Sequence, residues 1–138
     1  TGCAGGGAGA VVNTPATNNE IDPASSFNPA AWIDLIEAAG AQNPAFYEYA
    51  ELGRQLVARD KVVLVSPPTL GAGFNAFAWI EEREIWINEP MFTRYPSVID
   101  QATIFLHEMI HIMTGEVTHA GPAWSLQDEF AMFYSDQR

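Results

Sequence analysis

Apolar residues recur at helical spacing in two early stretches of the chain. Trp32, Ile33, Leu35 and Ile36 do so within residues 28–40, and Phe46, Ala50, Leu52, Leu56 and Val57 within residues 43–59. Both stretches open on Asn-Pro, Asn28-Pro29 and Asn43-Pro44. The Asn can cap the free amide donors of a first turn, and the Pro needs no donor there. Two amphipathic helices are predicted. The period then shortens: Lys61-Val62-Val63-Leu64-Val65 is an apolar, β-branched run between Asp60 and Ser66-Pro67-Pro68, the pattern of a buried strand. Residues 77–80 and 84–88 read as two further strands joined across Glu81-Glu82-Arg83, a hairpin without the Asn-Gly signal of the tightest turns. The last strand runs into Glu89-Pro90, and proline is tolerated mainly at sheet edges and strand ends. It is therefore expected at an edge, where an extended peptide could pair with its main chain.

Ser97, three residues before Asp100, gives a capping-box-like start, and Gly115 stands where a helix would need a left-handed residue to stop. The apolar positions between them, Val98, Ala102, Phe105, Leu106, Met109, Ile110 and Met113, cover more than one face, so this helix is expected to be buried on most sides. A final helix opens at Gly121-Pro122, with Trp124, Phe130, Ala131 and Phe133 as its apolar side. Helix, helix, strand, hairpin, helix, loop, helix is an α+β plan: helices packed on a small mixed sheet. Residues 1–26 differ in kind, Gly and Ala giving way to Asn, Thr, Pro and Ser. This is the composition of a flexible linker, so the folded domain is expected over residues 27–138.

The third helix carries the chemistry. His107 and His111 lie four apart, about one helical turn, so both rings can reach one ion, and Glu108 follows the first. A catalytic zinc takes three protein ligands and keeps one position open. The downstream candidates for the third are His119, Glu116, Asp128 and Glu129. His119, eight residues past His111 beyond the Thr114-Gly115 break, is the first choice, and Glu129 on the final helix is its rival. The alternatives are structural: histidines four apart satisfied by core hydrogen bonds, and Asp128 and Glu129 as the solvated face of a helix. Under the catalytic reading His107, His111 and His119 hold zinc, and Glu108 acts as general base and then general acid on an activated water. Tyr95 or Tyr134 could supply a further donor to the oxyanion.

The segment His107-Glu108-Met109-Ile110-His111, a short loop, and then His119-Ala120-Gly121-Pro122-Ala123-Trp124 resembles the metal-binding stretch of SprT-like zinc metallopeptidases and related minimal zincins. The spacer between the second and third histidines is shorter here, and Trp stands where that family usually has Phe. The resemblance covers about 18 residues, 107–124. It implies a zincin-like fold, Zn2+ on His107, His111 and His119, Glu108 as the acid/base residue, and peptide-bond hydrolysis.

Charge narrows the partners. Six Lys and Arg against 17 Asp and Glu leave a net charge of -11, which repels nucleic acid. The DNA-linked role of SprT-like proteases is therefore not expected, and neutral or basic polypeptides are the expected substrates. No segment approaches the roughly 20 apolar residues of a membrane span. Cys3 is the only cysteine, so no intrachain disulfide forms. Thr1-Gly2-Cys3-Ala4 resembles the end of a bacterial lipobox, which implies an extracytoplasmic chain lipidated at Cys3. The N-terminal tail is a candidate for oligomer or partner contact. Two other function classes stand beside the hydrolase: a non-catalytic binding or assembly module on a zincin-like fold, and an effector domain of a larger secreted protein.

Overall fold

Asn28 caps its helix through its side chain, whereas Asn43 makes its side-chain bond one residue ahead of the N-cap, which is Pro44 and makes none. In the computed structural model, which describes residues 2–4 and 26–135, Asn28 Oδ1 accepts from the Ala31 amide (3.3 Å) and Asn43 Oδ1 from the Ala45 amide (3.1 Å). They open α1 (Pro29–Ala39) and α2 (Ala45–Ala58). α1 buries Trp32, Ile33, Ile36 and Ala39, and α2 buries Phe46, Tyr49, Ala50, Leu52, Gly53 and Leu56. A Cβ on Gly53 would come within 2.9 Å of Ile33 Cγ1, so the two helices approach more closely than any larger residue would permit.

The sheet is mixed, as the sequence pattern predicts. β1 (Gly2–Ala4), β2 (Val62–Val65), β3 (Phe74–Trp79) and β4 (Glu84–Asn88) lie in the order β1-β3-β4-β2. β2 runs parallel to β4 with Val62 opposite Ile85, and β3 runs antiparallel to β4 with Ala76 opposite Ile87. Period-2 alternation sends Ala76, Ala78, Ile85 and Ile87 into the core. Phe77, Trp79 and Trp86 gather on the opposite face, ring centroids 5.1–6.2 Å apart.

Two expectations fail here. β4 is an interior strand flanked by β3 and β2, so its edge is not open to a peptide. Pro90 does not end an edge strand; it occupies the first turn of a short helix, α3 (Pro90–Arg94), where its missing amide costs nothing. β3 also starts three residues before the predicted 77. Asn75, the polar residue that masks the pattern, is buried because its Oδ1 accepts from Arg94 Nη1 at 2.8 Å. Within the stretch read as a linker, Gly2–Ala4 forms β1, and residues 5–25 lie outside the described residues.

α4 (Val98–Thr114) lies over β3 and against α1. Ser97 stands at its N-cap without a side-chain cap bond, so the capping box is not made, while Gly115 closes the other end in the left-handed conformation (φ 72°). Its buried Gln101 ties three elements: Trp32 Nε1 donates to Gln101 Oε1 (3.1 Å), and Gln101 Nε2 donates to the Tyr95 carbonyl (2.9 Å). Trp32 also stacks on Phe92 and tilts against Phe105, so this polar bridge sits inside the aromatic core. After a 3-10 turn (Pro122–Trp124), α5 (Ser125–Ser135) buries Leu126, Phe130 and Tyr134. Among the described residues no helix is long and apolar enough to cross a membrane.

Gln101→Leu keeps the volume but strands the Trp32 indole N–H and the Tyr95 carbonyl. A loss of about 1–3 kcal/mol is expected in urea unfolding, the cost of buried unpaired groups. Wild-type stability would mean that Gln101 contributes packing alone.

Candidate metal centre

α4 is a helix with apolar residues on most sides, and this burial sets the chemistry of its histidines. His111 is fully buried, His107 half-buried, and Glu108 is 1% exposed. A neutral imidazole carries one donor and one acceptor nitrogen, and a buried one must find partners for both. The structure supplies one partner to each ring at Nδ1. His111 Nδ1 lies 2.8 Å from the Glu116 backbone carbonyl, and His107 Nδ1 lies 2.9 Å from Gln127 Oε1. A backbone carbonyl only accepts, so Nδ1 of His111 carries the proton and Nε2 is left as a lone-pair donor. With Gln127 presenting its oxygen, His107 is held in the same tautomer.

These second contacts come from different places in the chain. Gly115 reverses the backbone after α4, its amide donating to the His111 carbonyl at 2.9 Å, and this brings the Glu116 carbonyl back to the His111 ring. Gln127 comes from the first turns of α5. The 3-10 turn directs that helix to α4, and Ser125 Oγ, donating to the Pro122 carbonyl at 2.8 Å, ties the turn down. The chain enters this turn through Gly121 at φ 112°, a conformation that L side chains rarely adopt.

The exposed loop between the two glycines returns His119 to α4. The ring centroids form a nearly equilateral triangle, 5.2 Å for His107–His111, 5.0 Å for His107–His119 and 4.9 Å for His111–His119. One donor atom from each ring lies within 4.8 Å of the others. Trp124 packs on all three, its ring centroid 4.8 Å from His107 and 4.9 Å from His111 and from His119. Among the described residues this is the group of side chains that could hold a metal ion, and the donor set fits one: three imidazoles, two of them oriented through Nδ1.

The other candidates lie elsewhere. Glu129, the rival third ligand, points to the start of α2, where its Oε1 accepts from Asn43 Nδ2 at 3.0 Å. Glu116 has an exposed side chain and contributes its carbonyl, and Asp128 is exposed. Tyr134, a candidate oxyanion donor, gives its hydroxyl to the Leu35 carbonyl of α1. Tyr95 packs beside the core after α3. Sequence reasoning missed Gln127. Its signal was its place three residues after Trp124, hence on the side of the final helix that follows the aromatic.

Burial, the largest cause, lowers the pKa of His107 from the ordinary 6.5 against the raising effect of its bond to Gln127, and the charges of His111 and His119 lower it further. His111 is lowered too, first by burial, with the Glu116 bond opposing and the charge of His119 adding. Both rings are thus held neutral, the form that ligates metal.

Two outcomes are expected. Replacing Gln127 with Leu frees the His107 ring to turn and should weaken metal binding about 10–100-fold by competition with a chromophoric chelator; unchanged affinity would remove Gln127 from the centre. The metal-free protein should also lose stability on acidification. The unfolded chain protonates these two histidines near 6.5, the folded one only at lower pH, so below about 6.5 the unfolded state binds more protons and gains. Thermal unfolding in chelator between pH 7.5 and 5.5 reads this, and a His107→Gln/His111→Gln variant should lose less over the same interval. No family model matches this chain, and no curated protein or solved structure is significantly similar to it.

Proposed function

We propose that this chain is a zinc-dependent peptidase of the zincin kind, with His107, His111 and His119 as ligands and Glu108 as general base and acid. The observation that carries the reading is the convergence of three imidazoles, with a buried carboxylate next in sequence to the first. Two supporting facts are chemical. Three neutral nitrogen ligands leave one position for water at a tetrahedral ion, which is the composition of a catalytic zinc site rather than of a closed structural one. The donor set is all imidazole, which suits zinc better than calcium or magnesium. The order of these residues, with His119 ahead of Gly121-Pro122-Ala123-Trp124, is the one that resembles SprT-like metallopeptidases.

When bound, zinc would lower the pKa of a water toward 7 and polarise the scissile carbonyl. The remaining work falls to the protein. Glu108 accepts the proton of the attacking water and returns it to the leaving amine, so the carboxylate is regenerated at the end of the cycle. Gln127 and the Glu116 carbonyl hold His107 and His111 in the tautomer that presents Nε2. Trp124 excludes water from one side of the imidazole triangle, which strengthens electrostatic interactions there. The substrate is a polypeptide of neutral or basic character, since a chain of net charge -11 repels an acidic one and nucleic acid alike.

Glu108→Gln separates the roles. The variant should bind zinc as the wild type does and lose about 10²–10⁴-fold in hydrolysis of an unstructured protein, the usual contribution of a general acid–base. Full activity would remove Glu108 from the mechanism. A zinc-loaded wild type that cleaves no polypeptide would favour the binding-module class instead.

A further inference from the structure

Among the described residues, the core and the helices around it lie on one face of the sheet. Alternation along the strands turns Ala76, Ala78, Ile85 and Ile87 to that face, and Val62 and Leu64 pack against the same core. The intervening residues fall on the other face. There Phe77 lies opposite Trp86, Trp79 opposite Glu84, and Val63 of β2 opposite Trp86. The three aromatic rings make one contiguous patch, with centroids 5.1 Å apart for Phe77–Trp79, 5.7 Å for Trp79–Trp86 and 6.2 Å for Phe77–Trp86. Trp79 is 37% exposed. Apolar residues scattered singly over a surface are ordinary, but a joined aromatic patch with a polar rim marks an interaction site.

The rim selects the occupant. Trp86 Nε1 donates to Glu84 Oε1 at 3.0 Å, which fixes a carboxylate beside the rings, and its other oxygen can still accept. The adjoining turn adds Glu81 and Glu82, both exposed. Its cation, Arg83, takes φ 51° and lines a groove on the helix side of the sheet with Glu48, Glu51 and Met113. Lys61, in register with Glu84 at the start of β2, makes no ion pair with it; among the described residues the ion pairs are those of Arg54. Three carboxylates therefore border the aromatic face against one ammonium. A second copy of the chain would bring like charges against these, and an anionic membrane is repelled in the same way. The ring planes are inclined to one another by 41–63°, so successive flat sugar rings could not stack on all three. A guanidinium suits both features: it is planar and weakly hydrated, it stacks on an indole face, and its forked donors reach a neighbouring carboxylate.

We propose that the sheet face formed by Phe77, Trp79 and Trp86, with Glu84 at its rim, is a docking surface for an arginine-bearing segment of a partner polypeptide. This face lies across the sheet from α4, so docking there does not depend on hydrolysis at the metal centre.

The test uses the full chain carrying Glu108→Gln throughout, so that no probe is cut, and a short fluorescein-labelled peptide of Arg, Gly and Ser followed by anisotropy. Trp79→Leu removes the exposed ring and should weaken binding about twofold to thirtyfold, the range for a cation over an aromatic face. Glu84→Gln keeps an oxygen for the Trp86 indole but removes the charge, and a loss of about twofold to fivefold is expected. Glu51→Gln changes the net charge equally on the helix side and should leave the affinity unchanged. With both indoles intact, the N–H resonances of Trp79 and Trp86 should move on titration with unlabelled peptide, while that of the fully buried Trp32 stays. Wild-type affinity in a folded Trp79→Leu variant overturns the proposal. So do equal losses in Glu84→Gln and Glu51→Gln, since bulk charge would then account for binding, and so do unmoved Trp79 and Trp86 resonances; these two readings decide the matter if Trp79→Leu does not fold. Movement of the same resonances by a soluble glucan oligosaccharide, or adsorption to phosphatidylserine vesicles, without a response to the arginine peptide would assign the face to another partner and overturn it too.

Discussion

Burying two imidazoles in an apolar helix wall is the constraint around which the rest of this protein is arranged. A buried polar group without partners costs a few kcal/mol, so each ring must be satisfied on both nitrogens or the helix must rotate it into water. The chain meets the requirement at one nitrogen per ring from outside α4: a backbone carbonyl just past Gly115 for His111, and the Gln127 amide from α5 for His107. Both contacts fall on Nδ1, and His119 arrives with its ring centroid 5.0 Å from that of His107 and 4.9 Å from that of His111. Desolvation would by itself only keep these rings neutral. The second contacts convert neutrality into orientation, and orientation is what a shared ion needs.

That requirement explains features that look incidental in isolation. Gly115 and Gly121 both take positive φ, and the loop they bracket is exposed along its length, His119 included. The loop thus has little apolar burial to hold it and depends on the glycine bends and on Trp124, which touches all three rings. An ion shared by a fixed helix and such a loop would contribute stability to the loop as well as chemistry to the site, because ligation closes a segment that packing leaves loose.

Much of this architecture was legible in the sequence, for identifiable reasons. The Asn-Pro starts, the long apolar helix and its glycine stop are local signals, and they gave the helices to within a residue or two of the observed bounds. The histidine pair was legible because it obeys the helical period, and His119 because imidazoles are scarce in this chain. What stayed hidden was tertiary. Asn75 reads as a strand breaker until Arg94 satisfies it, and Pro90 reads as a strand end until α3 is seen to begin there. Glu129 and Gln127 sit two residues apart on α5, and only the helix's orientation shows that Gln127 meets α4 while Glu129 meets Asn43. Strand order is likewise a long-range property: nothing in residues 84–88 says that β2 will pair in parallel on their open side.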